Sequence, residues 1–510
     1  MTIALPKSLT KNKSTKDSII SVLSEDWPLS AREVYLKMRR DYGHKQSYQS
    51  VYSAIRRLLL DDVLELRGRK YLLNQEWIKN LEKFSELTRK NYSQHEELLE
   101  VGAGSSVEKN AFVAGKEAAE KAFAQLRFNK QIQLALVFAS STYGNDYSDV
   151  IAGVKSVCGD APLAGCSTMG EINGGHLCNS VTVALFGASE EVFSTKPVVL
   201  PLSQEHYDGS GFSGLLDSLE REVGFKTGYP DFALFFFPGF ESEKNFRVVA
   251  PDFLREFASR FSTPFPLAGC LSGDDWGFRR TNQFCRSQVF SEAIVFVAIK
   301  TKLRFGVRRL HGYSPSSDRR FKIKVRNGTV AEMACITRNK TGEFKPALNV
   351  YSKETGMASA DIRASLPKFV REIIAQNKCP PITRVSDGVH GYPGKVEDTS
   401  VWFDNAFQTG DVIQISHTTP NELVETTRKV IEETASIASI KKPAVALLFS
   451  CASIEVILQA HNIDEIMKIR KNGLQGMPIV GCYNGGEIGP VAVPQASGTV
   501  VAVLIGNELR

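Results

Sequence analysis

The sequence predicts an α/β protein, with a body of repeated strand–helix–strand lobes behind a small basic domain of helices and one hairpin. The first observation behind this is a motif met three times. Pro162–Ile172 reads PLAGCSTMGEI, Pro266–Asp275 reads PLAGCLSGDD and Pro478–Gly489 reads PIVGCYNGGEIG. All three run Pro, two apolar residues, Gly, Cys, a short polar stretch, Gly and an acid. The second observation is the setting of each copy. Strand-sized apolar runs precede them at 134–139, 232–237 and 444–449, and others follow at 181–186, 292–299 and 498–505. Units spanning 134–187, 232–299 and 444–506 are too long for a thin solenoid and fit duplicated α/β lobes. The third observation is charge. Residues 1–92 carry 18 Lys and Arg against 11 Asp and Glu, whereas the remainder carries 44 against 45. A basic head on a neutral body points to an electrostatic partner for the head alone.

In the head, residues 15–24 place Ile19, Ile20, Val22 and Leu23 on a first helix. Ser30 and Glu33 form a capping box that opens a second. Residues 47–60 form a third, with Val51, Ile55, Leu58 and Leu59 on one face. Two short strands follow around Arg67-Gly-Arg-Lys70. Three helices and a basic hairpin in this order resemble a winged helix-turn-helix domain over residues 1–92. That resemblance implies binding to double-stranded DNA. Ser47, Gln49, Ser50, Tyr52, Arg56 and Arg57 would meet the major groove, and Arg67, Arg69 and Lys70 the phosphate backbone. A small basic domain that binds protein is the other reading.

Residues 75–100 are charged and helical by pattern, with Trp77, Leu81, Phe84 and Leu87 forming an apolar seam. That seam would pack on the head or pair with its copy in a homodimer. Residues 93–109 read as a linker whose Val101-Gly-Ala-Gly-Ser-Ser106 run is a flexible break. An Ala-rich helix over 111–126 leads into the first strand. Residues 305–355 read as strands and turns bridging the lobes, 358–377 and 421–438 as helices, and 387–416 as hairpins.

The wording GCSTMGEI between ALVFAS and VTVALFG resembles the N-terminal domain of the FIST family, which would span 110–325. GCYNGGEIGP followed by GTVVAVLIG resembles the FIST C-terminal domain, which would span 326–510. The resemblance implies an intracellular sensor of small molecules, amino acids among them. It also brings in haem, because some bacterial relatives are described as haem-based nitric oxide sensors.

A strand that ends in Gly-Cys and passes into a polar turn presents backbone amides and an acid where ligands of α/β proteins bind. The candidate ligand residues are Gly165, Cys166, Ser167, Thr168 and Glu171 in the first copy, and Gly481, Cys482, Tyr483, Asn484 and Glu487 in the third. The second copy is one residue shorter and has Leu271 after Cys270, which makes it the weaker candidate. The plainer reading is that Gly allows close strand packing and Cys is a small buried hydrophobe. No catalytic motif is present, so no enzyme, catalytic residue or metal ligand is assigned. No histidine stands out as an axial haem ligand, although His390 and His417 are available.

At 510 residues and 43% hydrophobic content the chain should hold two to four domains with proper cores. Its apolar runs fall well short of the roughly 20 residues that cross a bilayer. Its start lacks the apolar core of a signal peptide. Nine cysteines without a CxxC pair suit reduced thiols, and a cytoplasmic location is expected. The reading is a ligand-sensing transcriptional regulator. Alternatives are a signalling scaffold whose head binds protein, a cysteine-dependent enzyme, or a redox or haem sensor.

Overall fold

The computed structural model describes residues 14–510 apart from 84–96, 128, 130, 226–227, 240–248, 262–264, 278, 366–370, 372–373, 375–378, 404–406, 472–475, 491–494 and 497. The chain divides into two compact units, Met1–Glu96 and Glu97–Arg510.

In the first unit, helices Thr15–Glu25, Ala31–Tyr42 and Tyr48–Leu60 precede a hairpin of Leu64–Arg67 and Lys70–Leu73. Ser14 with Asp17 and Ser30 with Glu33 close reciprocal caps, and Ser47 caps the third helix. Each cap satisfies amides that a helix start leaves free. Ile19, Leu23, Val34, Met38, Val51, Ile55 and Leu58 form the core with Leu64 and Tyr71. The helix predicted over 75–100 is present at 75–83. Phe84 and Leu87 of its seam lie outside the described residues.

The second unit is built from three lobes of one pattern. Each runs strand, helix, strand, helix, motif strand, short hairpin, strand. The first occupies 99–188 and the second 193–301. The third begins at Leu303–His311 and resumes at helix Pro420–Ile437, so that the ten-stranded sheet formed from 314–417 is an insertion within it. Leu303–His311 pairs with Thr499–Leu509 and belongs to the third lobe's sheet rather than to a bridge between lobes.

The expected break at 101–106 is a strand instead. Leu99–Ser106 pairs antiparallel with Val181–Ala188 and is almost wholly buried. Its glycines serve packing rather than freedom. A β-carbon at Gly102 or Gly104 would lie about 2 Å from the carbonyl oxygens of Ala122 or Ala118, so the Ala-rich helix Ala111–Phe123 can rest directly on the strand.

Each six-stranded sheet borrows the short hairpin of another lobe. Gly170–Asn173 and His176–Leu177 of lobe one extend the sheet of lobe three, on Ile479–Asn484. Gln283–Cys285 and Gln288–Phe290 of lobe two extend that of lobe one, on Leu163–Ser167. Glu487–Ile488 and Gln495–Ala496 of lobe three extend that of lobe two, on Leu267–Leu271. The exchange is cyclic, and one shared core lies where the three sheets face one another.

That topology rests on the motif glycines. In each lobe the motif strand runs parallel to its neighbour, and a β-carbon at Gly165, Gly269 or Gly481 would lie 1.8, 1.9 or 1.8 Å from the carbonyl oxygen of Val137, Phe235 or Leu448. Gly68, at φ +66 in the head hairpin, has open space around it. Gly481→Ala should therefore cost more than about 3 kcal/mol of stability and Gly68→Ala about 1 kcal/mol. Chemical denaturation of the two variants checks this, and equal losses would contradict it.

Candidate functional site

The residue after each motif glycine points into the shared core. Cys166, Cys270 and Cys482 are fully buried, with Sγ separations of 3.8 Å between Cys166 and Cys270 and 3.9 Å between Cys270 and Cys482. Along each sheet the cysteine sits opposite a phenylalanine on one side: Phe138, Phe236 and Phe449. Those three rings meet edge to face at 6.1–6.3 Å. On its other side each cysteine faces a residue of the borrowed hairpin: Gln283 for Cys166, Glu487 for Cys270 and Glu171 for Cys482. Three phenylalanines, three thiols and three side chains of Glu or Gln thus form one layer around a pseudo-threefold axis.

The two acids are held alike. Glu171 accepts from the Thr168 hydroxyl and from the Ser180 amide (3.2 Å) and hydroxyl (2.5 Å). Glu487 accepts from the amide (3.1 Å) and hydroxyl (2.7 Å) of Thr499. Burial outweighs the hydrogen bonds to Glu171 and, with the Asp275 charge nearby, pushes its carboxyl up to about 8. In the second lobe the matching position is Gln283, which donates to the Ser272 hydroxyl at 3.0 Å. Asp274, the acid that completes the second motif, instead accepts from the amides of Arg279 (2.7 Å) and Arg280 (3.2 Å).

The motif turns meet at one end of this layer. Ser167 donates to the Gly273 carbonyl at 2.6 Å and accepts from the Asn282 amide at 2.8 Å. The Met169 amide donates to Tyr483 O at 2.9 Å, and the Leu271 amide to Gly486 O at 2.8 Å. Asn484 donates to Ser450 O at 3.0 Å, and the Tyr483 hydroxyl to Glu465 at 2.9 Å. All ten predicted ligand residues are buried, but they do not all face the axis: Tyr483 turns into the third lobe's own core, its ring 5.3 Å from that of His176. Half-buried Asp275 lies over the first turn, its amide donating to Thr168 O at 3.2 Å, and half-buried Trp276 packs on the third lobe's core; both are in the left-handed region, at φ 51° and 67°. Asp275 accepts from the Ser140 hydroxyl (2.8 Å) and the Ser141 amide (2.7 Å). Consecutive non-glycine residues in that region store strain of a kind that gathers at functional sites. Sequence reasoning did not find Gln283, Ser180, Thr499 or Trp276, because none lies within the aligned motif positions, and it passed over Asp275 because the second copy was set aside as the weaker candidate.

Beside the axis, His176 Nε2 lies 3.2 Å from Glu455 and 3.6 Å from exposed Cys178 Sγ. Burial would lower the imidazole's pKa, but its contacts with Cys178 and Glu455 raise it to about 10. The thiol also lies 3.9 Å from Nδ1, so it is not aligned on either ring nitrogen.

His390 does not fit an axial haem ligand. His390 is fully buried, 4.5 Å from the Tyr313 ring and 5.4 Å from His311, and its Nε2 closes directly on Gly498. Burial drops its pKa to about 3. His417 is exposed at the end of Val412–His417.

Two clefts lie away from the axis. One of about 360 Å³ is lined by Arg319, Met333, Cys335 and Lys353, and one of about 350 Å³ by His311, Tyr313, Thr426 and Glu433. In the separate head unit, Ser47, Gln49, Ser50, Tyr52, Arg56, Arg57, Arg67, Arg69 and Lys70 are all exposed.

The FIST N domain matches residues 133–334 and the FIST C domain residues 347–490. No curated protein matches the chain. Solved structures that align include phosphoribosylformylglycinamidine synthase II from Thermotoga maritima, at 10% identity and TM-score 0.16, covering 80% of this chain and 72% of that one. T. maritima PurL complexed with FGAR aligns with the same values, and PurL complexed with ADP aligns at 9% identity and TM-score 0.18, covering 80% and 71%. Likeness at that level carries no argument about fold or function. FIST domains are sensory signalling domains that bind small ligands. With its N and C domains in tandem over most of the body, this chain belongs to the FIST family.

Proposed function

We propose that the chain is a cytoplasmic, homodimeric one-component transcriptional regulator. Its FIST body would bind a small amine-bearing metabolite such as an amino acid, and its head would bind double-stranded DNA. The observation that carries the ligand half is the convergence of polar turns from all three lobes beneath the strained Asp275–Trp276 cap. In this reading the ligand enters at the cap and its ammonium meets Glu171 or Glu487. Ser167, Thr168 and Asn484 hold its polar end, and Gly165, Cys166, Gly481, Cys482 and Tyr483 form the wall. Those side chains already have partners in other parts of the ring, so a ligand must exchange one set for another and shift the lobes. A coupling of about 1–3 kcal/mol is the usual scale of such an effect.

For the DNA half, the support is an exposed basic face on a compact unit whose helices and hairpin follow the winged helix-turn-helix order. All nine cysteines are free, which suits a reducing compartment.

Two experiments test the two halves separately. A metabolite thermal-shift screen of the full chain identifies the ligand, and calorimetry then compares Glu171→Gln, Glu487→Gln and Trp276→Ala with the parent. At least one acid variant and Trp276→Ala should bind about tenfold more weakly, a loss of about 1.4 kcal/mol. Parent-like affinity in all three would place the pocket elsewhere. The acid also supplies a stability check. Glu171 is raised in the fold from an ordinary carboxyl pKa, so its native state holds a proton that the unfolded chain gives up. Its contribution is fully present below about pH 4.5 and is lost as pH rises towards about 8. Glu171→Gln should flatten that part of the pH–stability curve, and a curve parallel to the parent's would contradict the assignment.

For the head, anisotropy with the full chain should show duplex affinity falling steeply with salt. Replacing Arg67, Arg69 and Lys70 with Ala should weaken binding on every sequence and flatten the salt slope. Unchanged binding would refute the role given to the hairpin.

A further inference from the structure

The thiol triangle on the pseudo-threefold axis has a second property that its packing does not require. The sulfurs of Cys166 and Cys270 lie 3.8 Å apart and those of Cys270 and Cys482 3.9 Å apart, and with all three within 4.8 Å of one another they define a centre about 2.2–2.5 Å from each. That distance is close to a metal–thiolate bond, about 2.3 Å for zinc. The three sulfurs come from three separate sheets, fixed by three glycine contacts, so the triangle is preformed rather than gathered from a mobile loop. Among the described residues the ligand set closes at three: no fourth Cys, His, Asp or Glu atom lies within 4.8 Å of all the others. Structural zinc takes four ligands. A dry triangle of soft sulfur without a fourth ligand suits a soft monovalent ion that accepts three-coordination, above all Cu(I). A cation at the centre offsets the thiolate charge that ligation leaves in this buried layer.

We propose that Cys166, Cys270 and Cys482 form a trigonal site for one soft metal ion, monovalent copper, at the point where the three lobes meet. Binding moves no electrons. Each sulfur that binds as thiolate releases its proton to solvent, and the ion joins three lobes that otherwise meet through side-chain packing and strand exchange. Because the sulfurs are fully buried, the ion enters as the body folds or when the lobes open.

The test uses the full chain, produced in copper-supplemented medium and purified anaerobically under reductant with a weak copper chelator. Elemental analysis should give one copper per chain, and X-ray absorption should show sulfur-only ligation at about 2.2–2.3 Å. Cys270→Ala should lower the copper content at least tenfold, while Cys335→Ala, outside the triangle, keeps it. If Cys270→Ala does not fold, the absorption spectrum of the parent decides alone. Less than a tenth of an equivalent in a natively folded parent would overturn the proposal. So would one equivalent of zinc in place of copper, or nitrogen and oxygen ligation, which would point to His176, Cys178 and Glu455 instead.

Discussion

The constraint on which the body depends is the distance between a motif strand and its parallel neighbour. At Gly165, Gly269 and Gly481 that gap admits no β-carbon. The next residue in each copy, a cysteine, lies in the shared core, and a side chain much larger than cysteine at all three positions would drive the sheets apart. Interiors are packed too tightly to absorb such a change without loss. The phenylalanine on the neighbouring strand fills the space left beside each small thiol, and its edge-to-face contacts close the layer.

Hairpin exchange converts three similar lobes into one cooperative body. A lobe that lends its hairpin leaves a sheet edge that only another lobe's hairpin covers, so no lobe is complete alone. Exposed edges invite mispairing, and the cyclic exchange removes three of them. It also places each polar turn under the control of two sheets. A disturbance at Glu171 is felt by the sheet of lobe three through Cys482, and one at Glu487 by the sheet of lobe two through Cys270. This is the kind of discrete, multiply tied element through which a bound molecule biases a larger rearrangement.

Much of this was legible in the sequence. Repetition of the motif and its flanking apolar runs gave three lobes, and the cap residues Ser30 and Glu33 located a helix start. The first and third motifs do meet, through Gly170–Asn173 on Ile479–Asn484. The exchange was not legible, because pairing between borrowed hairpins and motif strands is set by tertiary register rather than local pattern. Gln283 shows the difficulty: it stands thirteen residues after Cys270, whereas Glu171 and Glu487 stand five after their cysteines. A longer loop carrying Asp274 and Asp275 intervenes, so alignment by spacing chose the wrong acid. The run at 101–106 failed for a different reason. Glycine looks the same in a sequence whether it loosens a linker or lets a helix settle onto a strand, as Gly102 and Gly104 do against Ala122 and Ala118.

The central claim is that three lobes fold as one body because each completes another's sheet. Native-state hydrogen exchange of the full chain tests it most directly, read at the amides of the borrowed hairpins around 170–173, 283–285 and 487–488. The account predicts that all three exchange only through global opening, with the free energy of the central strands at 134–139, 232–237 and 444–449. Rapid exchange of any one hairpin, independent of those strands, would show that its lobe is complete without the loan and would contradict the account.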